Sequence, residues 1–129
     1  MLVSNLDHIN LRASREFLDE LRDFYCDVVG LTPGSRPPFP DYGYWLYAGE
    51  RAVVHLSLAN EAEIPAADVQ STFAHVAFAC SGRTTYERHL SESGVKYDVA
   101  VVPESGITQL FFQDPAGNGV ELSFDSDQS

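Results

Sequence analysis

Phe73-Ala74-His75-Val76-Ala77-Phe78 repeats, in pattern and in the place of its histidine, the earlier stretch Leu6-Asp7-His8-Ile9-Asn10-Leu11. A second pair of stretches matches in the same way. Val53-Val54-His55-Leu56-Ser57-Leu58 in the first half corresponds to Gly119-Val120-Glu121-Leu122-Ser123-Phe124 in the second. His8 and His55 stand 47 residues apart, His75 and Glu121 46. A repeated unit of this size cannot cover both faces of its own sheet, so two such halves, in one chain or across a dimer, are expected to pack together. The chain reads as a duplicated unit with a potential metal ligand at four matched strand positions.

Around these stretches, residues 4–12 alternate with period two. Leu6, His8, Asn10 and Arg12 fall on one face and Ile9 and Leu11 on the other, the mark of a half-buried strand. Ser14 is placed to cap a helix in which Phe17, Leu18, Leu21, Tyr25, Val28 and Val29 recur at helical spacing, and Gly30, with Pro33 beyond it, ends that helix. The four prolines between residues 32 and 41 predict a short strand running into a stiff loop, and 44–48 and 52–58 a hairpin turned at Gly49-Glu50-Arg51. The order then returns: a strand over 72–80, a helix over 84–93 closed by Gly94, and strands over 95–101, 109–113 and 118–124. Asp114-Pro115-Ala116-Gly117-Asn118-Gly119 is turn chemistry.

Residues 60–70 are acidic and short of large apolar side chains, which predicts a linker, and 125–129 a frayed tail. Each half thus reads β-α-β-β-β. The expected class is α+β: a single domain over 1–129 with module 1 at about 1–60, a linker at 60–71 and module 2 at about 72–125. The two βαβββ modules form an open, curved mixed sheet with helices on the outer face. The alternation sends Ile9, Leu11, Val54, Leu56, Val76, Phe78, Val120, Leu122 and Phe124 toward the helices. His8, His55, His75 and Glu121, with Asn10, Ser57 and Ser123, face the other way. A curved sheet with a polar inner face is a binding cleft.

Eight basic against 19 acidic residues give a formal charge of -11. Such a field repels phosphate backbones and anionic lipid, so neither nucleic acid nor membrane is an expected partner. No apolar run approaches the roughly 18 residues of a membrane span, no secretory signal is visible, and a cytoplasmic location is expected. Cys26 and Cys80 are too few for a disulfide framework and lie on the apolar periodicity without a matched base, so they read as buried thiols rather than nucleophiles. His89 reads as a surface residue, and Gly117-Asn118-Gly119 lacks the lysine and helix of a phosphate cradle.

Imidazole and carboxylate suit borderline divalent ions: Zn²⁺, Ni²⁺, Co²⁺, Fe²⁺ or Mn²⁺. The absence of thiolates from the set argues against a closed structural zinc site. One divalent ion per site is expected on His8, His55, His75 and Glu121.

Phe112-Gln113-Asp114-Pro115-Ala116-Gly117-Asn118-Gly119-Val120-Glu121-Leu122 resembles the C-terminal signature of the vicinal oxygen chelate superfamily (glyoxalase, bleomycin resistance protein, extradiol dioxygenase). Asp7-His8-Ile9-Asn10-Leu11, Phe24-Tyr25-Cys26-Asp27-Val28-Val29-Gly30-Leu31 and Ala74-His75-Val76-Ala77-Phe78 resemble its other recurrent segments, so the likeness covers essentially the whole chain. It implies paired βαβββ modules forming an open barrel around a divalent metal, often with the cleft shared across a homodimer. It also implies His8, His75 and Glu121 as ligands common to most metal-using members, and His55 as the fourth position used by glyoxalase I-like members. Arg12 matches an arginine of bacterial glyoxalases. A histidine at 55, where such members carry a carboxylate or other ligand, removes a second carboxylate that would shuttle a proton. The superfamily hosts several chemistries, so the likeness bounds fold more tightly than function.

Four ligands on an octahedral ion leave two open positions, enough to chelate adjacent oxygens of a small substrate and stabilise an enediolate, with Glu121 as general base. Glyoxalase-like isomerase or lyase chemistry is therefore the expectation. Without His55, a two-histidine, one-carboxylate triad leaves three positions, which suits an extradiol-type Fe(II) ring-cleaving dioxygenase. A non-enzyme alternative is a metal-free small-molecule or drug-sequestering protein. The loop over 37–45 either borders the cleft, with Phe39, Tyr44 or Trp45 as an apolar wall, or is simply anchored by those side chains. Arg12, Tyr44 and Trp45 are the substrate-binding candidates.

Overall fold

A computed structural model describes residues 1–60 and 73–125. The chain divides into two compact units, Met1–Ala67 and Asp68–Ser129. In the first unit β1 (Ile9–Ala13) leads into α1 (Arg15–Phe24), which runs on as a π-helical turn (Tyr25–Val29), followed by β2 (Thr32–Gly34), β3 (Gly43–Ala48) and β4 (Arg51–Leu58). In the second, β5 (Val76–Ala79) is followed by α2 (Arg83–Glu92), β6 (Asp98–Val101), β7 (Thr108–Gln113) and β8 (Gly119–Phe124). Each unit builds its own four-stranded mixed sheet, ordered β1-β4-β3-β2 and β5-β8-β7-β6. The first strand lies parallel to the last, and the other neighbours are antiparallel. The predicted linker lies, from residue 61 on, outside the described residues, as does the predicted frayed tail beyond residue 125.

The helix of the first unit begins where the Ser14 side chain accepts a hydrogen bond from the Phe17 backbone N–H. It buries Leu18, Leu21, Tyr25 and Val29 along one side, the stripe its apolar spacing predicts. The N–H groups of Gly30 and Leu31 both donate to the Tyr25 carbonyl, which widens the last turn, and Gly30 at φ 101° ends it. Beneath α1 lie Leu46, Val54 and Leu56, all fully buried. In the second unit Leu90, Leu110, Val120, Leu122 and Phe124 fill the equivalent core, with the Tyr86 ring of α2 edge-on to Phe124 at 5.7 Å.

The opening strands are shorter than the alternation predicts. β1 and β5 are edge strands with one partner each, and their ladders begin at Ile9↔Val54 and Val76↔Val120. Residues 4–8 and 73–75 fall outside these ladders, so alternation alone does not make them strand. His8 and His75 therefore each stand one residue ahead of their strand.

The β7–β8 connection is built on a buried carboxylate. Asp114, 4% exposed, accepts hydrogen bonds from the backbone N–H groups of Ala116 and Asn118 and from the Asn118 side-chain amide, at 2.9–3.0 Å. Replacing it strands three donors, at about 1–3 kcal/mol for each one left buried and unpaired. Asp114→Ala is therefore expected to lower stability by about 2–3 kcal/mol, read as a reduced urea midpoint with an unchanged slope. A midpoint equal to that of the parent protein would remove this role.

Past the turn, Gly119 runs against the residues preceding β5. A Cβ there would overlap the Ala74 carbonyl oxygen and stand 3.0 Å from the Cβ of His75. Only a residue without a side chain lets the two segments lie this close.

Candidate functional site

Parallel pairing of first and last strands repeats one arrangement in both units. Asn10 lies opposite His55 and Ala77 opposite Glu121. His8 and His75 precede those two partners by two residues, so the same sheet face presents each of them diagonally beside the donor on β4 or β8. The four ligand candidates thus come together as two pairs, His8 with His55 and His75 with Glu121. Among the described residues, no group of three or more His, Cys, Asp or Glu side chains is placed to hold an ion.

In the second unit His75 Nε2 lies 3.2 Å from Glu121 Oε1. The carboxylate is 6% exposed, and its other oxygen, Oε2, accepts a hydrogen bond from Gln109 Nε2 at 3.3 Å. The Phe111 ring packs edge-on to His75 at 5.6 Å. Two donors on adjacent corners of an octahedral ion, with bonds of about 2.1 Å, stand about 3.0 Å apart. The His75–Glu121 spacing matches that edge, so these two residues fit a divalent ion.

The first unit is arranged differently. His55, 8% exposed, is sandwiched between two rings: His8 at a centroid distance of 3.8 Å and Trp45 at 4.1 Å, each tilted by 11°. His55 Nε2 is 3.1 Å from the Ala52 carbonyl oxygen. A carbonyl can only accept, so that nitrogen carries the hydrogen and donates. Burial, and after it the neighbouring His8, push the His55 pKa below the usual histidine value, which favours the neutral ring. His8 Nδ1 donates to the Asp7 carboxylate at 2.7 Å, which leaves Nε2 outside this bond and holds the Asp7 carboxyl below its usual pKa.

The sheet face beside this stack carries a pocket of about 460 Å³ lined by His8, Asn10, Trp45, His55, Leu56 and Ser57, with Phe39, Arg36 and Asp41 from the proline-rich loop. Ser57 donates to the Asn10 side-chain oxygen at 2.9 Å. Arg36 lies along Asp41, donating to its backbone and carboxylate oxygens at 2.9 and 3.1 Å, and stands over the Phe39 ring. Trp45 and Phe39 thus line this pocket.

Tyr44 does not. One residue along β3, it projects to the opposite face, where its hydroxyl meets Asp19 at 2.6 Å, Tyr42 at 2.6 Å and Arg22 at 2.5 Å. Burial and Asp19 raise its pKa. The strand's two-residue period gives the pocket Trp45 and gives α1 Tyr44. Arg12 is exposed on the Asn10 face of β1, opposite Ser57, and does not line this pocket. Burial raises the thiol pKa of both Cys26 and Cys80, against a nucleophilic role.

Two neighbours of the ligand candidates are absent from the sequence reading. Gln109 was detectable: it shares the face of Phe111, which pairs with Glu121 across β7 and β8. Asp7 was not, because a strand through residue 7 would turn it away from His8. It reaches the imidazole only because β1 starts later.

Residues 5–122 match the family model described as Glyoxalase/Bleomycin resistance protein/Dioxygenase superfamily. Over 125 residues the chain is 34% identical to a protein of Arabidopsis thaliana named Glyoxylase I 4, an alignment covering 93% of this chain and 70% of that relative. Among solved structures, the glyoxalase family protein from Enterococcus faecalis superposes with a TM-score of 0.67 at 22% identity, covering 95% of this chain and 99% of that one. Lactoylglutathione lyase from Agrobacterium tumefaciens does so with 0.65 at 20% identity, covering 95% and 94%. These two structures share the fold. No helix among the described residues is long and apolar enough to cross a membrane.

Proposed function

The chain belongs to the glyoxalase/bleomycin resistance protein/dioxygenase superfamily, and on that premise we propose that it is a metal-dependent enzyme of the glyoxalase type. Its substrate is a small molecule with oxygens on adjacent carbons, its reaction isomerase or lyase chemistry, and His8, His75 and Glu121 hold one divalent ion (Zn²⁺, Ni²⁺, Co²⁺, Fe²⁺ or Mn²⁺). The reading includes a homodimer in the cytoplasm. The observation that carries it is the His75–Glu121 pair, spaced as an octahedral edge with the second carboxylate oxygen tied to Gln109. A divalent ion there supplies Lewis-acid polarisation of a carbonyl, which makes the adjacent C–H more acidic.

Glu121 is the one carboxylate among the four matched residues, and once displaced from the ion it would take that proton and return it to the neighbouring carbon. Gln109, bonded to Oε2, holds the carboxylate plane while this happens. In the first unit Trp45 and Phe39 give the pocket an apolar surface, and Asn10 and Ser57 add a polar anchor there.

The test is hydrogen–deuterium exchange at carbon, followed by NMR in D2O, on an α-hydroxy ketone with protein loaded with each candidate ion in turn. Metal-dependent exchange supports the reading; metal bound without exchange for any ion overturns it. One observation favours a second reading: the sandwiched His55, with Nε2 engaged by Ala52, leaves a two-histidine, one-carboxylate set of the kind used by Fe(II) ring-cleaving dioxygenases. Oxygen uptake on catechols by the iron-loaded protein would move the assignment there.

A further inference from the structure

We infer that His55 is a positioning residue rather than a metal ligand: it holds the His8 imidazole by face-to-face stacking and is itself clamped by Trp45 and the Ala52 carbonyl. The inference rests on the metal reading above and concerns the half of the site where the repeat departs from symmetry. An imidazole nitrogen binds a metal along a lone pair lying in the ring plane. The His8 and His55 planes are tilted by only 11°, with centroids 3.8 Å apart. An ion midway between them would stand about as far out of each plane as a metal–nitrogen bond is long, about 2 Å. No single ion can lie in both planes, so these rings do not share one.

The hydrogen bonds divide the roles further. His55 is 8% exposed, and its Nε2 donates to Ala52 O. Its second face is covered by Trp45 at 4.1 Å, directly across the β3–β4 ladder. His8 has one ring face covered by His55, a side chain 38% exposed, and Nδ1 tied to Asp7. A ligand histidine has that same pattern, with the outer nitrogen free and the inner one donating to a carboxylate. Trp45, His55 and His8 therefore form a graded stack in which the two inner rings are fixed by the sheet and the outer one presents Nε2.

Removal of an outer partner of this kind lowers metal affinity about 10–100-fold, whereas loss of a ligand costs more. His55→Phe keeps a flat ring between Trp45 and His8 but has no nitrogen; His55→Ala removes the ring. The measurement is Zn²⁺ binding by isothermal titration calorimetry, with the Co²⁺ absorption spectrum as a record of the ligand set. His55→Phe is expected to bind Zn²⁺ within about threefold of the parent with an unchanged Co²⁺ spectrum. His55→Ala should weaken binding about tenfold, and His8→Ala at least a hundredfold.

Loss of binding in His55→Phe equal to that in His8→Ala, or an altered Co²⁺ spectrum, overturns the inference. So does a His55→Ala protein that binds as the parent does. X-ray absorption of the zinc-loaded parent protein gives the same answer without a variant: two imidazoles at the metal support positioning, three overturn it. A parent protein with no affinity for any divalent ion removes the metal reading and this inference together. A parent that binds with three imidazoles removes this inference alone.

Discussion

Glu121→Gln is expected to abolish proton transfer and to lower divalent-ion affinity at least a hundredfold, while stability stays within about 1 kcal/mol of the parent. The side chain is only 6% exposed, so its volume matters. Glutamine keeps that volume, and its amide oxygen still accepts from Gln109. What changes is charge and basicity. A neutral amide oxygen is a weaker ligand than a carboxylate and takes no proton at neutral pH, and general-base catalysis is worth about 10²–10⁴ in rate. Calorimetric metal titration and deuterium exchange at carbon read the two losses separately. A variant that exchanges at the parent's rate would take Glu121 out of the chemistry, and one that binds zinc as tightly would take it out of the ligand set.

Gly119→Ala is expected to cost about 3 kcal/mol or more and to abolish metal binding in whatever fraction remains folded. The added methyl meets the Ala74 carbonyl oxygen, which is backbone and cannot swing away, and presses on the Cβ of His75. Forcing atoms into a packed site costs about 1–3 kcal/mol even where side chains give, and more where they cannot. Relief requires the segment before β5 to move off β8, which carries His75 away from Glu121. Urea denaturation gives the first number and zinc titration the second. A stable variant with the parent's affinity would mean that this close approach is dispensable.

The two behaviours of the repeat differ in how far the sequence exposes them. Alternation placed Val54, Leu56, Val120, Leu122 and Phe124 under the helices correctly because pleating forces every second side chain to one face. The same rule put His55 and Glu121 on the opposite face of their strands. Where the alternation failed, at residues 4–8 and 73–75, the missing quantity was the point at which each ladder begins, and hydrophobic pattern carries no record of that.

Tyr44 and Trp45 illustrate a second limit. Trp45 meets His55 because the β3–β4 register sets them opposite each other, and a slip of one residue would have exchanged it for Tyr44. Turn length and the irregularity at Leu46/Tyr47 decide that register. Four matched candidate ligands were legible in the sequence, whereas the orientations of the His8 and His55 rings were not, since they are fixed by Ala52, Asp7 and Trp45.

The parallel pairing of β5 with β8 has a consequence for the order of events during synthesis. His75 and Glu121 are 46 residues apart in sequence, at opposite ends of their unit, and lie side by side only once the last strand has joined the first. Closing so long a loop is slow compared with forming a helix or hairpin. On the proposed metal reading, the His75–Glu121 pair would come into being only with the finished unit. On that reading, topology alone would make loading of this pair wait for its unit to fold.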